Sequence, residues 1–125
     1  MEFSQPKGIY QQIADQMRDR ILQGEWLEGE RIPSIRELAV DIGVNPNTVT
    51  KSYQSLTELQ VIENQRGRGY FVASGAKQKI LADLRAQFIR EELPRLRRTM
   101  DLLNFRIDEL VSSLANDKGE NNDEN

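Results

Sequence analysis

The chain has no cysteine and no histidine. The first absence removes disulfides, thiolate metal sites and thiol nucleophiles together; the second removes the commonest general base and the commonest metal ligand. Both argue against a transition-metal sensor. Long apolar runs are missing too: none approaches the roughly twenty residues that a bilayer-spanning helix needs. The first eight residues lack the charged-then-apolar pattern of a secretory signal, so a cytoplasmic protein without membrane contact is expected. There is no Gly-rich phosphate loop after a strand and no Ser-centred elbow. Glu91 and Glu92 form a carboxylate pair, but adjacent helix residues face different directions. The expectation is a protein that is not an enzyme and carries no cofactor.

What is present fits one compact domain with an appendage: 125 residues, 38% of them hydrophobic. The net charge of −3 is the wrong sign for a nucleic-acid binder, yet its distribution matters more than its sum. Between Val44 and Leu56 the one charged residue is Lys51, and between Asn64 and Gln78 the charges are Arg66, Arg68 and Lys77. Acid gathers elsewhere, as in the tail with Asp117, Glu120, Asp123 and Glu124. Two locally cationic segments therefore sit in an acidic chain.

Periodicity and punctuation order these segments. Ile9, Tyr10, Ile13, Met17 and Ile21 make the apolar stripe of a helix over 9–22, stopped by Gly24. Ser34 with Glu37 reads as a capping box opening a second helix, which Gly43 ends. Asn45 as N-cap and Pro46 in the first turn open a third, running to about Leu59. Val49, Tyr53 and Leu56 share one face of it, and Asn47, Thr50, Lys51 and Gln54 another. Two helices joined by a tight glycine turn match a helix-turn-helix. Residues 61–73 then read as a β-hairpin with Arg66-Gly67-Arg68-Gly69 at its tip. Helix, helix-turn-helix and hairpin follow the winged-helix order.

DNA readout needs side chains of suitable length at the start of a helix that fits the major groove. Asn47, Thr48, Thr50 and Lys51 stand there: asparagine can pair with adenine, threonine can touch a thymine methyl, and lysine suits guanine or phosphate. Arg66 and Arg68 suit phosphate or the minor groove, with Gly67 allowing close backbone approach. The alternative is a winged-helix adaptor that binds protein and not specific DNA.

With these residues in view, the chain resembles the GntR family of transcriptional regulators over about residues 9–73. The resemblance lies in Ile9-Tyr10-Gln11-Gln12-Ile13, Pro33-Ser34-Ile35-Arg36-Glu37-Leu38-Ala39, Val44-Asn45-Pro46-Asn47-Thr48-Val49 and Arg66-Gly67-Arg68-Gly69-Tyr70-Phe71-Val72. The Asn45–Val49 run followed by Tyr53 and Leu56 is similar to the YtrA-like subfamily, whose short helical tail serves dimerisation. The resemblance implies DNA contacts at Arg36, Asn45, Asn47, Thr48, Thr50, Arg66 and Gly67. Many members carry recognition-helix arginines where this chain has Pro46 and Thr50, so base preference does not transfer. It also implies a repressor of its own operon, often one encoding an ABC transporter.

From Ala76 the pattern is wholly helical. Leu81, Leu84 and Phe88 form one stripe; Leu96, Met100, Leu103, Ile107, Leu110 and Leu114 continue it at spacings of four and three. Pro94 interrupts a straight helix, and Asn104 splits the segment into a helix to about Leu103 and a short one over 107–115, expected as a hairpin. A two-helix arm cannot bury such a stripe alone, so these six residues are expected at a homodimer interface. No ligand signature appears, which leaves open an unidentified small-molecule effector between domain and arm.

The expected fold is mainly α: a winged helix-turn-helix over 1–75 (helix-turn-helix 34–53, wing 61–73), then a short two-helix dimerisation arm over 76–115. An acidic tail without order is expected over 116–125. The expected partners are a palindromic double-stranded DNA operator and a second copy of the chain.

Overall fold

The computed structural model describes residues 8–123, with side chains as far as residue 117. Local chemistry sets each boundary of its N-terminal helices. α1 (Ile9–Leu22) ends where Gly24 takes the left-handed conformation at φ 82°. α2 (Ile35–Ile42) opens on the expected capping box: the Ser34 hydroxyl accepts from the Glu37 N–H at 3.1 Å, and the Glu37 carboxylate accepts from the Ser34 N–H at 3.1 Å. After Gly43, Asn45 caps α3 (Pro46–Glu58), its Oδ1 accepting from the Asn47 N–H at 2.8 Å. Pro46 stands where no amide proton is needed.

Two antiparallel strands follow, β1 (Ile62–Gln65) and β2 (Gly69–Val72), with Ile62 opposite Val72 and Gln65 opposite Gly69. A short segment before α2 adds a third edge that the sequence pattern did not suggest. Arg31 bridges Phe71, the Ile32 N–H donates to the Tyr70 carbonyl at 2.9 Å, and the Val72 N–H donates to the Glu30 carbonyl at 2.9 Å.

The core lies where α1, α3 and the inner face of the hairpin meet. Ile13, Met17, Val49, Tyr53, Leu56, Ile62 and Val72 are all buried there. Tyr53 has no exposed surface: its O–H donates to the Pro33 carbonyl at 2.5 Å, and its ring meets that of Tyr70 edge-on at 4.8 Å. Burial pushes its phenol well above the ordinary tyrosine value. Ser52, also fully buried, donates to the Tyr10 carbonyl at 2.7 Å and so ties α3 to α1. One aromatic and one hydroxyl thus fix α3 to three neighbouring segments.

This first compact unit runs through Asp83, not Gly75. The first two turns of α4 (Ala76–Gln87) belong to it because Ala76 and Ile80, one turn apart, are completely buried. Lys79 adds a hydrogen bond from Nζ to the Gln60 carbonyl at 3.0 Å, and Arg18 pairs with Asp83 at 3.5 Å.

The second unit begins at Leu84. The helical path continues through a π-helical turn at Phe88–Glu92 into α5 (Leu93–Leu103). Pro94 accounts for the wider turn: it has no N–H to donate backwards, and its ring would collide with the carbonyl of Arg90 in a regular helix. Asn104 ends α5 in the left-handed conformation at φ 54°, and the Phe105 N–H reaches back to the Met100 carbonyl at 2.9 Å. α6 (Ile107–Asp123) follows.

Two expectations are corrected here. The two helices do not pack along one another as a hairpin; each carries one apolar stripe, and the Asn104 turn leaves those stripes unmatched. α6 also runs past Ala115 to Asp123, through residues expected to be without order, because no proline or left-handed residue stops it. Among the described residues, no helix is long and apolar enough to cross a membrane.

Candidate nucleic-acid interface

The cap at Asn45 and the fixing of Tyr53 and Ser52 together hold the start of α3 outward. Asn47 and Lys51 are exposed, and Thr48 and Thr50 are half-buried. Two of the expected contact residues have part of their hydrogen-bonding capacity already in use. The Thr50 hydroxyl donates to the Pro46 carbonyl at 2.9 Å, so it offers outward its methyl and an acceptor lone pair, not a proton. Asn45 Oδ1 is committed to the cap, leaving its amide NH₂.

Arg36 is exposed in the first turn of α2. The competing role for it, an ion pair with Glu37 or Asp41, is not formed among the described residues. Glu37 is turned instead to Ser34, whose N–H, and then its hydroxyl, hold the Glu37 carboxyl below the usual carboxylate range. Lys51 and Arg66 likewise form no ion pair among the described residues.

The wing tip is built for close approach. Gly67 and Gly69 have φ of 77° and 116°, a region that side-chain-bearing residues rarely enter. Arg66 is exposed. Arg68 is more constrained: its Nη1 donates to Gln65 Oε1 at 2.9 Å, and its guanidinium lies over the Phe71 ring at 5.2 Å. Sequence reasoning missed Arg31, whose guanidinium lies against Gly69. The signal available was faint, an arginine before a buried isoleucine and a glycine some forty residues on.

The expected dimer residues all fall in the second unit. Leu96, Leu103, Ile107 and Leu114 are exposed, while Met100 and Leu110 are half-buried. Leu96, Met100 and Ile107 line one groove with Leu93 and Phe105; Leu103, Leu110 and Leu114 lie outside it. Leu102 and Val111 are exposed apolar residues that the stripe did not include. Among the described residues, no cluster of carboxylates could hold a metal ion.

A model of the gntR family of bacterial regulatory proteins matches residues 9–72, the whole of this surface. The uncharacterized HTH-type transcriptional regulator YhcF of Bacillus subtilis is 35% identical over 113 residues, which are 90% of this chain and 92% of the relative. The HTH-type transcriptional repressor YtrA of the same species is 42% identical over 88 residues, 70% of this chain and 67% of the relative. In three dimensions, a crystal structure of a GntR-family regulator from Bacteroides thetaiotaomicron superposes with a TM-score of 0.82 at 42% identity, covering 91% of this chain and 99% of that one.

Proposed function

The chain belongs to the GntR family of bacterial regulatory proteins and is a DNA-binding transcriptional regulator, and we propose that it is a cytoplasmic, homodimeric repressor of its own operon. The observation that carries the reading is the exposure of Arg36, Asn47 and Lys51 near the starts of α2 and α3, with Thr48 and Thr50 half-buried, together with the exposed Arg66-Gly67-Arg68 tip of the hairpin. In the bound state each recognition helix α3 enters a major groove, Asn47 and Lys51 meet base edges, Arg36 and Asn45 approach from its entrance, and the Arg66-Gly67-Arg68 wing lies against the backbone. The apolar residues Leu96, Met100, Leu103, Ile107, Leu110 and Leu114 form the dimer contact. Two-fold symmetry then asks for a palindromic operator with half-sites about one helical turn, ~10 bp, apart.

Repression is favoured by the likeness to YtrA, which is named a transcriptional repressor. The YtrA-like resemblance further suggests an ABC-transporter operon as the regulated unit. The test is a binding titration on the DNA upstream of the chain's own gene against a random duplex of equal length. Tight binding of the upstream duplex is expected; affinity no better than for the random duplex at low salt overturns the reading. Replacing Lys51 and Arg66 by alanine together is expected to weaken binding and, through the lost Arg66 contact, to flatten its salt dependence by about one phosphate contact. An unchanged salt slope in that variant would favour a protein-binding adaptor.

A further inference from the structure

Arg31 precedes Ile32, whose side chain is buried and whose N–H is bonded to the hairpin. Alternation along an extended segment therefore sends Arg31 to the outer side of the wing, away from the core. It bridges Phe71 from the edge opposite β1. Arg31 is exposed, and its guanidinium lies against Gly69. A Cβ at Gly69 would stand 2.9 Å from Arg31 Nε and 3.5 Å from Nη2. Gly69 thus serves twice: it adopts a φ of 116° that other residues rarely reach, and it leaves a slot that a side chain would fill.

Around this slot the charges favour an anion. Arg68 is held over Phe71, next in the strand on the same face, and Arg66 stands at the tip. Three acids lie near Arg31, each with a hydrogen bond of its own: Glu63, opposite Phe71 on β1, accepts from the Gln65 side chain at 3.4 Å, Glu30 accepts from the Leu27 N–H at 2.9 Å, and Glu37, whose carboxylate feels the Arg31 charge, accepts from the Ser34 N–H at 3.1 Å. Among the described residues Arg31 forms no ion pair. An arginine so placed loses less rotamer freedom on binding than a free one, and its planar fork matches two phosphate oxygens.

We propose that Arg31, seated in the Gly69 slot, is a further contact to the DNA backbone, taking a phosphate beside those held by the wing tip. The contact carries no base information; it fixes the register of the wing on the duplex. The proposal rests on the DNA-binding role of the wing argued above.

The experiment compares wild type with R31A, R31K, R66A and, as a charge-matched control in the second unit, R90A. Each is titrated with the upstream duplex and with a random duplex from about 50 to about 200 mM salt, the range over which phosphate contacts separate clearly. R31A is expected to weaken both duplexes by the same factor and to reduce the salt slope by about 1, with an unchanged melting temperature. R31K restores the slope but not the full affinity, and R90A behaves as wild type. Wild-type affinity and slope in R31A, with R66A impaired, overturn the Arg31 contact alone. Lost affinity at unchanged slope, or a lowered melting temperature, assigns Arg31 a structural role and also overturns it. If R66A too binds as wild type, the role of the whole wing falls with it.

Discussion

The two halves of the chain solve the burial of apolar side chains in opposite ways. Through Asp83 the stripes of α1, α3 and α4 face one another and the hairpin, so Ile13, Val49, Tyr53, Leu56 and Ile80 lose essentially all contact with water. From Leu84 to Asp117 no described residue is buried, and Leu102, Leu103 and Ile107 keep 77%, 66% and 74% of their surface exposed. Composition does not explain this, since both halves are periodic and amphipathic. The difference is geometric: an apolar stripe is satisfied only by a second surface at the right angle, and helices following one another through the Asn104 turn do not supply it. One half closes on itself; the other leaves its stripe open for the second copy proposed above.

The largest effect expected from that contrast falls on the arm. Replacing Leu103 and Ile107 by aspartate puts charge on the proposed contact at two largely exposed positions of the second unit. Trp26, the single tryptophan, lies in the first unit, so its fluorescence reports that unit alone. The double variant is expected to sediment as a monomer and to unfold with an unchanged Trp26 midpoint. Its affinity for a two-half-site operator falls by about 10²- to 10⁴-fold through lost avidity, while its affinity for one half-site holds. A variant that remains dimeric, or whose first unit melts, breaks the division drawn here.

The converse substitution is Leu56→Ala, at a position with no exposed surface between α3 and the hairpin. Removing a fully buried leucine side chain costs about 2–5 kcal/mol, the spread depending on how far the cavity collapses. The loss is read directly in the Trp26 midpoint under denaturant. Dimerisation, measured where the variant is still folded, should be unaffected. If Leu56→Ala weakens the dimer as strongly as it weakens the fold, the two halves are not separable.

How much of this was legible beforehand follows the range of each interaction. The Ser34–Glu37 box, the Asn45-Pro46 start and the Gly43 stop are made by residues within four positions of each other, so sequence alone placed α2 and α3. The stripe through Tyr53 and Leu56 likewise announced which side of α3 is buried. Arg31 went unread because its bridge to Phe71 spans forty residues, and a three-residue edge has no periodicity to detect. Ala76 and Ile80 continue the same helical pattern as the arm, so nothing local marks them as part of the first core; only the residues packed on them do. The hairpin expected for the arm failed for the same reason in reverse: a stripe says that a partner is required, not which surface provides it.

The smallest and most selective test uses acid, because among the described residues each half carries a carboxyl whose pKa a local donor lowers. Glu37 is kept below the usual carboxylate range first by the Ser34 N–H, then by the Ser34 hydroxyl. Asp108 is kept below it first by its hydrogen bond from Arg106. Both pKa values are lower in the folded chain than in the unfolded one. Each carboxylate therefore contributes stability that is fully present above the unfolded value, about 4, and is lost as pH falls through the folded value. Glu37→Gln keeps an acceptor for the Ser34 N–H but no charge, so the Trp26 midpoints of wild type and variant should converge as pH falls below the unfolded value and through the lower folded one. Asp108→Asn should leave that midpoint alone and instead flatten the acid loss of helical circular dichroism. The penalty of Leu56→Ala should stay constant across the same range, because no proton is involved. A Trp26 midpoint that follows Asp108 as closely as Glu37 would mean that the arm and the winged domain share one folding equilibrium, and the separation between them would have to be given up.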